Sequence, residues 1–263
     1  MKFQTLQYVK TNAIARITLG RPEVLNAMNQ QLWIDLQAAL VAAEKDADIK
    51  VIVLTGEGRA FSAGADLKES KTRTQAQYRA YLESLQEASR TIIRFPKPTI
   101  AAINGYALGS GYELALACDL RIAAIEARIG SPEARVSSSI TGGAFRLIQD
   151  LIGPGKAKEL LFTAESIDGR EAERIGLVNK AVPLSALMEH TLELAEKISK
   201  NDLFSLKMMK KGLRMAQSEA SLETLMEFEI EACLACVATQ ARQAALEQFE
   251  KRKDSEENNF SVR

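Results

Sequence analysis

Two apolar runs rich in β-branched residues each lead into a glycine-flanked segment, and this repeat constrains the chain more than any other feature. Val51-Ile52-Val53-Leu54 precedes Phe61-Ser62-Ala63-Gly64-Ala65-Asp66-Leu67-Lys68. Thr99-Ile100-Ala101-Ala102-Ile103 precedes Asn104-Gly105-Tyr106-Ala107-Leu108-Gly109-Ser110-Gly111-Tyr112-Glu113. Apolar runs of this kind between helical segments are the mark of buried parallel strands. The small residues that follow let backbone approach backbone, or a ligand, closely. Backbone N–H groups aimed from two such segments at one carbonyl oxygen stabilise the charge that oxygen gains when the neighbouring carbon becomes enolate-like. Glu113 stands three residues past Ser110, and a second carboxylate, Glu133, lies twenty further on, after Ser131-Pro132. Two donors and two carboxylates are equipment for acid–base chemistry beside a carbonyl.

The rest of the chain reads as α/β, with strand–strand–helix units stacking on one another. Alternating runs over 3–9 and 13–19, separated by Thr11-Asn12, predict a hairpin. Leu32, Leu36, Leu40 and Ala43 predict a helix over 29–46, with Asn29 or Asn26 as its cap. Helical spacing continues over 72–94 until Pro96 and Pro98 stop it. Helices are then expected over 111–118, 142–150, 155–163 and 168–174, and strands over 119–123, 127–129 and 177–182. From about residue 184 the chain is almost all helical, with a Lys- and Met-rich helix over 203–216 and a long one over 222–249.

Composition bounds the function classes. At 263 residues the chain suits one large domain or a core with an appendage. Thirty-four basic residues balance 34 acidic ones, which argues against a dedicated nucleic-acid or membrane-surface protein. No run approaches the roughly 18 apolar residues of a membrane span. The opening MKFQTLQYVK alternates and has no apolar h-region, so no signal peptide is expected, and the closing FSVR is not an SKL-type address. Three cysteines fit a reducing compartment, and a cytoplasmic location is the expectation.

Taken in order, GRPEVLNAM, VIVLTGEGRAFSAGADLKE, KPTIAAINGYALGSGYELALACDLRIA, SPEARVS, AERIGLVNKAV and FEKRK give a chain that resembles the enoyl-CoA hydratase/isomerase, or crotonase, superfamily. The resemblance runs through most of the chain. It implies a spiral of ββα units over residues 1–200 that holds an acyl-CoA site. It also implies a helical region over 201–263 that builds a trimer, or a hexamer of paired trimers, and covers CoA.

The same resemblance implies an oxyanion hole made by the N–H groups of Ala65 and Ser110, with a thioester carbonyl oxygen between them. Ser110 replaces the family's usual glycine, which keeps the N–H and adds a hydroxyl. Glu113 is implied to orient and deprotonate the water that attacks C3 of a trans-2-enoyl thioester, and Glu133 to deliver the proton to C2. CoA is implied to follow Val24-Leu25 and Ala63, Asp66, Leu67 and Lys68, with Gly109 and Gly142 also counted as substrate-binding. Glu23 is acidic where the family often carries a base for phosphate. Lys251 or Lys253 is placed to reach a neighbouring subunit's CoA. CoA is part of the substrate, and no separate cofactor and no metal are expected. After Glu133 the family's Pro-Gly-Gly-Gly-Gly-Thr-Gln-Arg gives way to a stretch with Ser137-Ser138-Ser139 before Thr141-Gly142-Gly143, which predicts either a more polar acyl pocket or a solvated loop.

Other signals are weaker. Cys233 and Cys236 form a CxxC without a second pair, and helical packing is the expected role. The single His190 lies far from Ser62 and Ser110 in sequence, so a serine hydrolase has little support. Trp33 and Met208-Met209 read as packing. Beside hydration, Δ3-Δ2-enoyl-CoA isomerisation or another acyl-CoA enolate reaction stays open, since isomerisation needs only one carboxylate. A non-catalytic RNA-binding reading rests on Lys68, Lys71, Arg73, Arg79, Arg90 and Arg94, interrupted by Glu83 and Glu87.

Overall fold

A computed structural model describes residues 2–70, 74–217 and 221–237, together with 240 and 244. The chain divides into two compact units, Met1–Lys200 and Asn201–Arg263. Lys71, Arg73, Lys251 and Lys253 lie outside the described residues, and for Leu67, Cys233 and Cys236 the description extends to the backbone.

The first unit opens with β1 (Leu6–Thr11) and β2 (Ile14–Leu19), an antiparallel pair. The hairpin was expected, but β1 starts three residues later than the alternation suggested. Gln4 and Thr5 are taken up instead by Asp35, whose carboxylate accepts from both backbone N–H groups and from the Thr5 hydroxyl, each at 2.8 Å. Burial works to raise the Asp35 carboxyl, yet these hydrogen bonds and one from Gln31 outweigh it and hold the group below its ordinary range. Asp35 belongs to α1 (Gln30–Lys45), which Asn29 caps by accepting from Leu32 N at 3.0 Å. Asn26, the other candidate cap, is fully buried and holds the Glu57 and Ala60 carbonyls.

Three ββα turns follow. β3 (Val51–Gly56) leads to β4 (Ala60–Ser62), then α2 (Leu67–Ser70) and α3 (Gln75–Arg94). β5 (Thr99–Ile103) leads to β6 (Tyr106–Leu108) and α4 (Ser110–Ala117). β7 (Leu120–Ala124) leads to β8 (Arg128–Gly130) and α5 (Ala144–Thr163). Each turn gives its first strand to a six-stranded sheet, β1-β2-β3-β5-β7 and a later strand, and its second to a four-stranded sheet, β4-β6-β8 and a later strand. The later strands are β9 (Ser166–Ile167) in the small sheet and β10 (Lys180–Val182) in the large one, with α6 (Gly169–Arg174) between them and α7 (Leu184–Ser199) after. The large sheet is parallel from β2 to β10, and β3 and β5 are buried along their whole length, as a sheet covered on both faces requires.

Several boundaries moved for local reasons. α3 starts at Gln75 because Thr74 and Gln77 form a reciprocal capping box. The helices expected over 142–150 and 155–163 are both present, as the two halves of α5 on either side of a non-helical Gly153 at φ +75° before Pro154. β10 keeps only the last three residues of the expected 177–182 strand, because the Leu177 and Val178 N–H groups turn back to the Ala172 carbonyl. Lys97 is buried at the entrance to β5, where its ammonium donates to the Ala43 and Asp46 carbonyls at the end of α1.

The second unit contains α8 (Leu203–Ala216), capped by Asp202, and α9 (Leu222–Val237); most of the remainder of the helix expected over 222–249 lies outside the described residues. The Lys211 ammonium sits 5.1 Å from the centre of the Phe228 ring. Met209 and Leu213 on α8 and Met226 and Ile230 on α9 remain exposed. Among the described residues, no helix is long and apolar enough to cross a membrane.

Candidate active site

The small sheet brings the two glycine-flanked segments side by side. β4 and β6 pair in parallel, so the residues that leave them, 63–66 and 109–111, run out at the same edge. A Cβ on Gly64, where φ is +100°, would stand 2.7 Å from the Leu108 carbonyl oxygen and 3.4 Å from Ser110 N. Only glycine permits that approach. A parallel bridge joins Met28 to Ala65 through Met28 N to Gly64 O at 2.8 Å and Asp66 N to Met28 O at 3.2 Å. Those bonds use the groups on either side of Ala65, so the Ala65 N–H faces away from Met28. Ser110 is the first residue of α4, and the N–H groups of a helix's first turn have no partner within the helix. α4 is buried throughout, so its dipole is little screened at that end.

Glu113 follows one turn into α4, with its carboxylate buried. Its Oε1 accepts from Thr141 N at 2.6 Å and its Oε2 from Thr141 Oγ1 at 2.8 Å. Burial pushes its pKa up, the two Thr141 bonds pull it back, and the charge of Glu133 pushes it up again, leaving the carboxyl above its ordinary range. Glu133 opens a 3-10 turn, Glu133–Val136, and is half-buried, with the Ser131 hydroxyl on its Oε2. Gly109, with φ +54°, makes room for it: a Cβ there would stand 2.6 Å from Glu133 Oε1. Glu133 thus lies against the residue that precedes the Ser110 N–H. Beside it, burial raises the Tyr112 phenol well above its usual range.

The four residues expected to be catalytic, Ala65, Ser110, Glu113 and Glu133, are therefore brought together from sequence positions up to 68 residues apart. The residues expected to bind substrate are more scattered. Val24 ends a 3-10 turn, Pro22–Val24, and Leu25 is left-handed at φ +54°, its carbonyl accepting from Ala63 N at 2.9 Å. Asp66 is held by Arg21, Oδ2 to Nη1 at 3.0 Å with both side chains mostly buried, and so supports the loop. Lys68 is exposed. Gly142, at φ +62°, packs on Ser89 of α3. Ser137, Ser138 and Ser139 are exposed, while Ile140 after them is buried. Thr141 and Ser131, the partners of the two glutamates, carried no recognisable signal in the sequence beyond lying near Glu133. A cavity of about 320 Å³ bordered by Arg16, Thr55, Asn104 and Leu187 contains none of the expected site residues.

The profile of the enoyl-CoA hydratase/isomerase family matches residues 9–258. The chain belongs to that family. It is 36% identical over 255 residues to a short-chain-enoyl-CoA hydratase of Clostridium acetobutylicum, covering 96% of this chain and 97% of that protein. It is 33% identical to a crotonyl-CoA hydratase of Syntrophomonas wolfei, covering 96% of this chain and 98% of the relative. A crystal structure of an enoyl-CoA hydratase from Bacillus anthracis superposes with a TM-score of 0.92 at 35% identity, over 95% of this chain and 97% of that one. Family membership extends over the spiral core and most of the helical tail alike.

Proposed function

We propose that this protein is an enoyl-CoA hydratase that adds water across the double bond of a trans-2-enoyl-CoA thioester. The observation that carries the reading is the convergence of two glutamates, one buried and close enough to feel the other's charge, beside the paired segments that present Ala65 N–H and Ser110 N–H.

The thioester carbonyl accepts from both N–H groups, and the charge that develops on its oxygen during addition is stabilised by donors already in place. Glu113, ionised, takes a proton from the water as its oxygen bonds to C3. Glu133, protonated, delivers a proton to C2, and one later exchange of protons restores the pair. The raised Glu113 carboxyl is the better proton acceptor, which suits the group that takes the water's proton. CoA is part of the substrate, following Val24-Leu25, Ala63, Asp66, Leu67 and Lys68, and the reaction so written needs no separate cofactor. The homo-oligomer, a trimer or a hexamer, is assigned to the second unit, where Met209, Leu213, Met226 and Ile230 leave apolar surface uncovered. A cytoplasmic setting belongs to the same reading. The RNA-binding alternative loses support, since Arg79 pairs with Glu83 and Arg90 with Glu87.

The test is loss of the conjugated enoyl-thioester absorbance on mixing with crotonyl-CoA, with mass detection of a water adduct. Absorbance loss with the adduct supports hydration. A shifted double bond without added water would move the assignment to isomerisation, which Glu133→Gln would then abolish while Glu113→Gln spared it.

A further inference from the structure

We propose that Thr141 is a positioning residue for Glu113, gripping its carboxylate through the backbone N–H on one oxygen and the side-chain hydroxyl on the other. This rests on the reading of Glu113 as the group that activates water. The grip is bidentate from a single residue, with N to Oε1 at 2.6 Å and Oγ1 to Oε2 at 2.8 Å. It comes from outside α4, across 28 residues of sequence, so it fixes the carboxylate against a second element. Thr141 in turn is anchored from both sides. Ile140 before it is buried, Gly142 after it packs on Ser89 of α3, and its carbonyl accepts from Ala144 N at the start of α5.

The two donors do different things. The backbone N–H can only donate, so Oε1 must remain an acceptor in every protonation state. The hydroxyl can turn, donating to Oε2 when the carboxylate is charged and accepting from it when Oε2 carries a proton. The hydroxyl therefore stabilises the anion that the buried site opposes, and it keeps the rotamer while the proton comes and goes. Of the titratable groups on the elements around Glu113, Glu83, Glu87 and Arg90 of α3 pair at the surface, Arg146 pairs with Asp150 on α5, and Tyr106 of β6 is exposed. Among the described residues, Glu133 is the charged group that bears on it.

The decisive variants are Thr141→Val, which keeps the shape and the N–H but deletes the hydroxyl, and Thr141→Ser, which keeps the hydroxyl. Thr141→Ala serves as a second hydroxyl-free variant should the valine protein fail to fold. An isotope-edited infrared titration follows the Glu113 carboxyl, identified as the band that Glu113→Gln removes. The pH profile of kcat/KM with crotonyl-CoA runs in parallel. Loss of a hydrogen bond to a charged group should raise the Glu113 midpoint by about one to two pH units in Thr141→Val. The acid limb of kcat/KM should move up with it, kcat below that limb should fall roughly tenfold or more, and KM should change little. Thr141→Ser should stay near wild type in all of these. An unmoved Glu113 midpoint in the hydroxyl-free protein, or an equal displacement in Thr141→Ser, overturns the proposal even if wild type hydrates crotonyl-CoA. A shifted midpoint in a protein that hydrates no enoyl-CoA would uphold the grip and overturn the hydratase reading instead.

Discussion

The two sheets are made by the same ββα repeats and do opposite jobs. The large sheet is built from strands of three to six residues, and at its centre the side chains vanish into the core; β3 and β5 expose nothing. The small sheet is built from strands of two or three residues, and what matters is the direction in which the chain leaves them. One sheet converts apolar area into stability at roughly 25 cal/mol per Å². The other places Ala65, Ser110 and the residues around Glu133 against one another with contacts so close that a single Cβ would spoil them. Stability and chemical geometry are thus separated within one repeat, and damage to each should look different.

The sharpest way to break this contrast is at the site. Glu113→Gln should lower kcat with crotonyl-CoA by about 10²–10⁴-fold, the usual worth of a positioned acid or base, while the melting temperature is kept or raised. An unfolded variant would mean that the site also holds the fold together. In the large sheet, Ile100→Ala, at a fully buried position paired with Val53 and Leu120, should cost about 2–5 kcal/mol in denaturant unfolding, with turnover per folded molecule nearly intact. A matching fall in turnover would show that the sheets are not independent.

Gly109→Ala should show an intermediate pattern, since the new Cβ would meet Glu133 Oε1 and also meet strain at a positive φ. A fall of about tenfold to hundredfold in kcat/KM, with a stability loss of about 1 kcal/mol, is the expectation, measured by steady-state kinetics and thermal melts.

The smallest effect is a linkage. The Glu113 carboxyl is raised above its ordinary value of 4.5 in the folded protein. Its contribution is therefore fully present below the unfolded value and is lost as pH rises through the folded one. The stability of Glu113→Gln relative to wild type should grow as pH climbs from about 4.5 and level off above the folded value, in paired melts across that range. A flat difference would mean that the Thr141 bonds fully cancel the burial.

Much of the site was legible in the sequence. The glycines around Ala65 and Ser110 announced close backbone approach, and the two glutamates stood at fixed offsets from them. What escaped notice is instructive. β8 was expected as a strand over 127–129, but β4, β6 and β9 are too short to show a period of two, so the small sheet that assembles the site was not legible as a sheet. Asn26 looked like a helix cap but serves as a buried clamp on the Glu57 and Ala60 carbonyls, a role that exists only once those carbonyls arrive. The Asp66 carboxylate pairs with Arg21, a partner 45 residues away that no local pattern announced.

By itself the sequence determined the α/β repeat, the helical tail and the residue types that the candidate site draws on, because apolar periodicity, caps and glycine placement are local and are written residue by residue. Only the tertiary structure decided which groups meet. Thr141 grips Glu113 from 28 positions away, Ser131 bonds Glu133, and Gly64 opens the way to Ser110. Such pairings depend on the register of parallel strands joined by long crossovers, and that register is set by the packing of the whole core rather than by any segment within it.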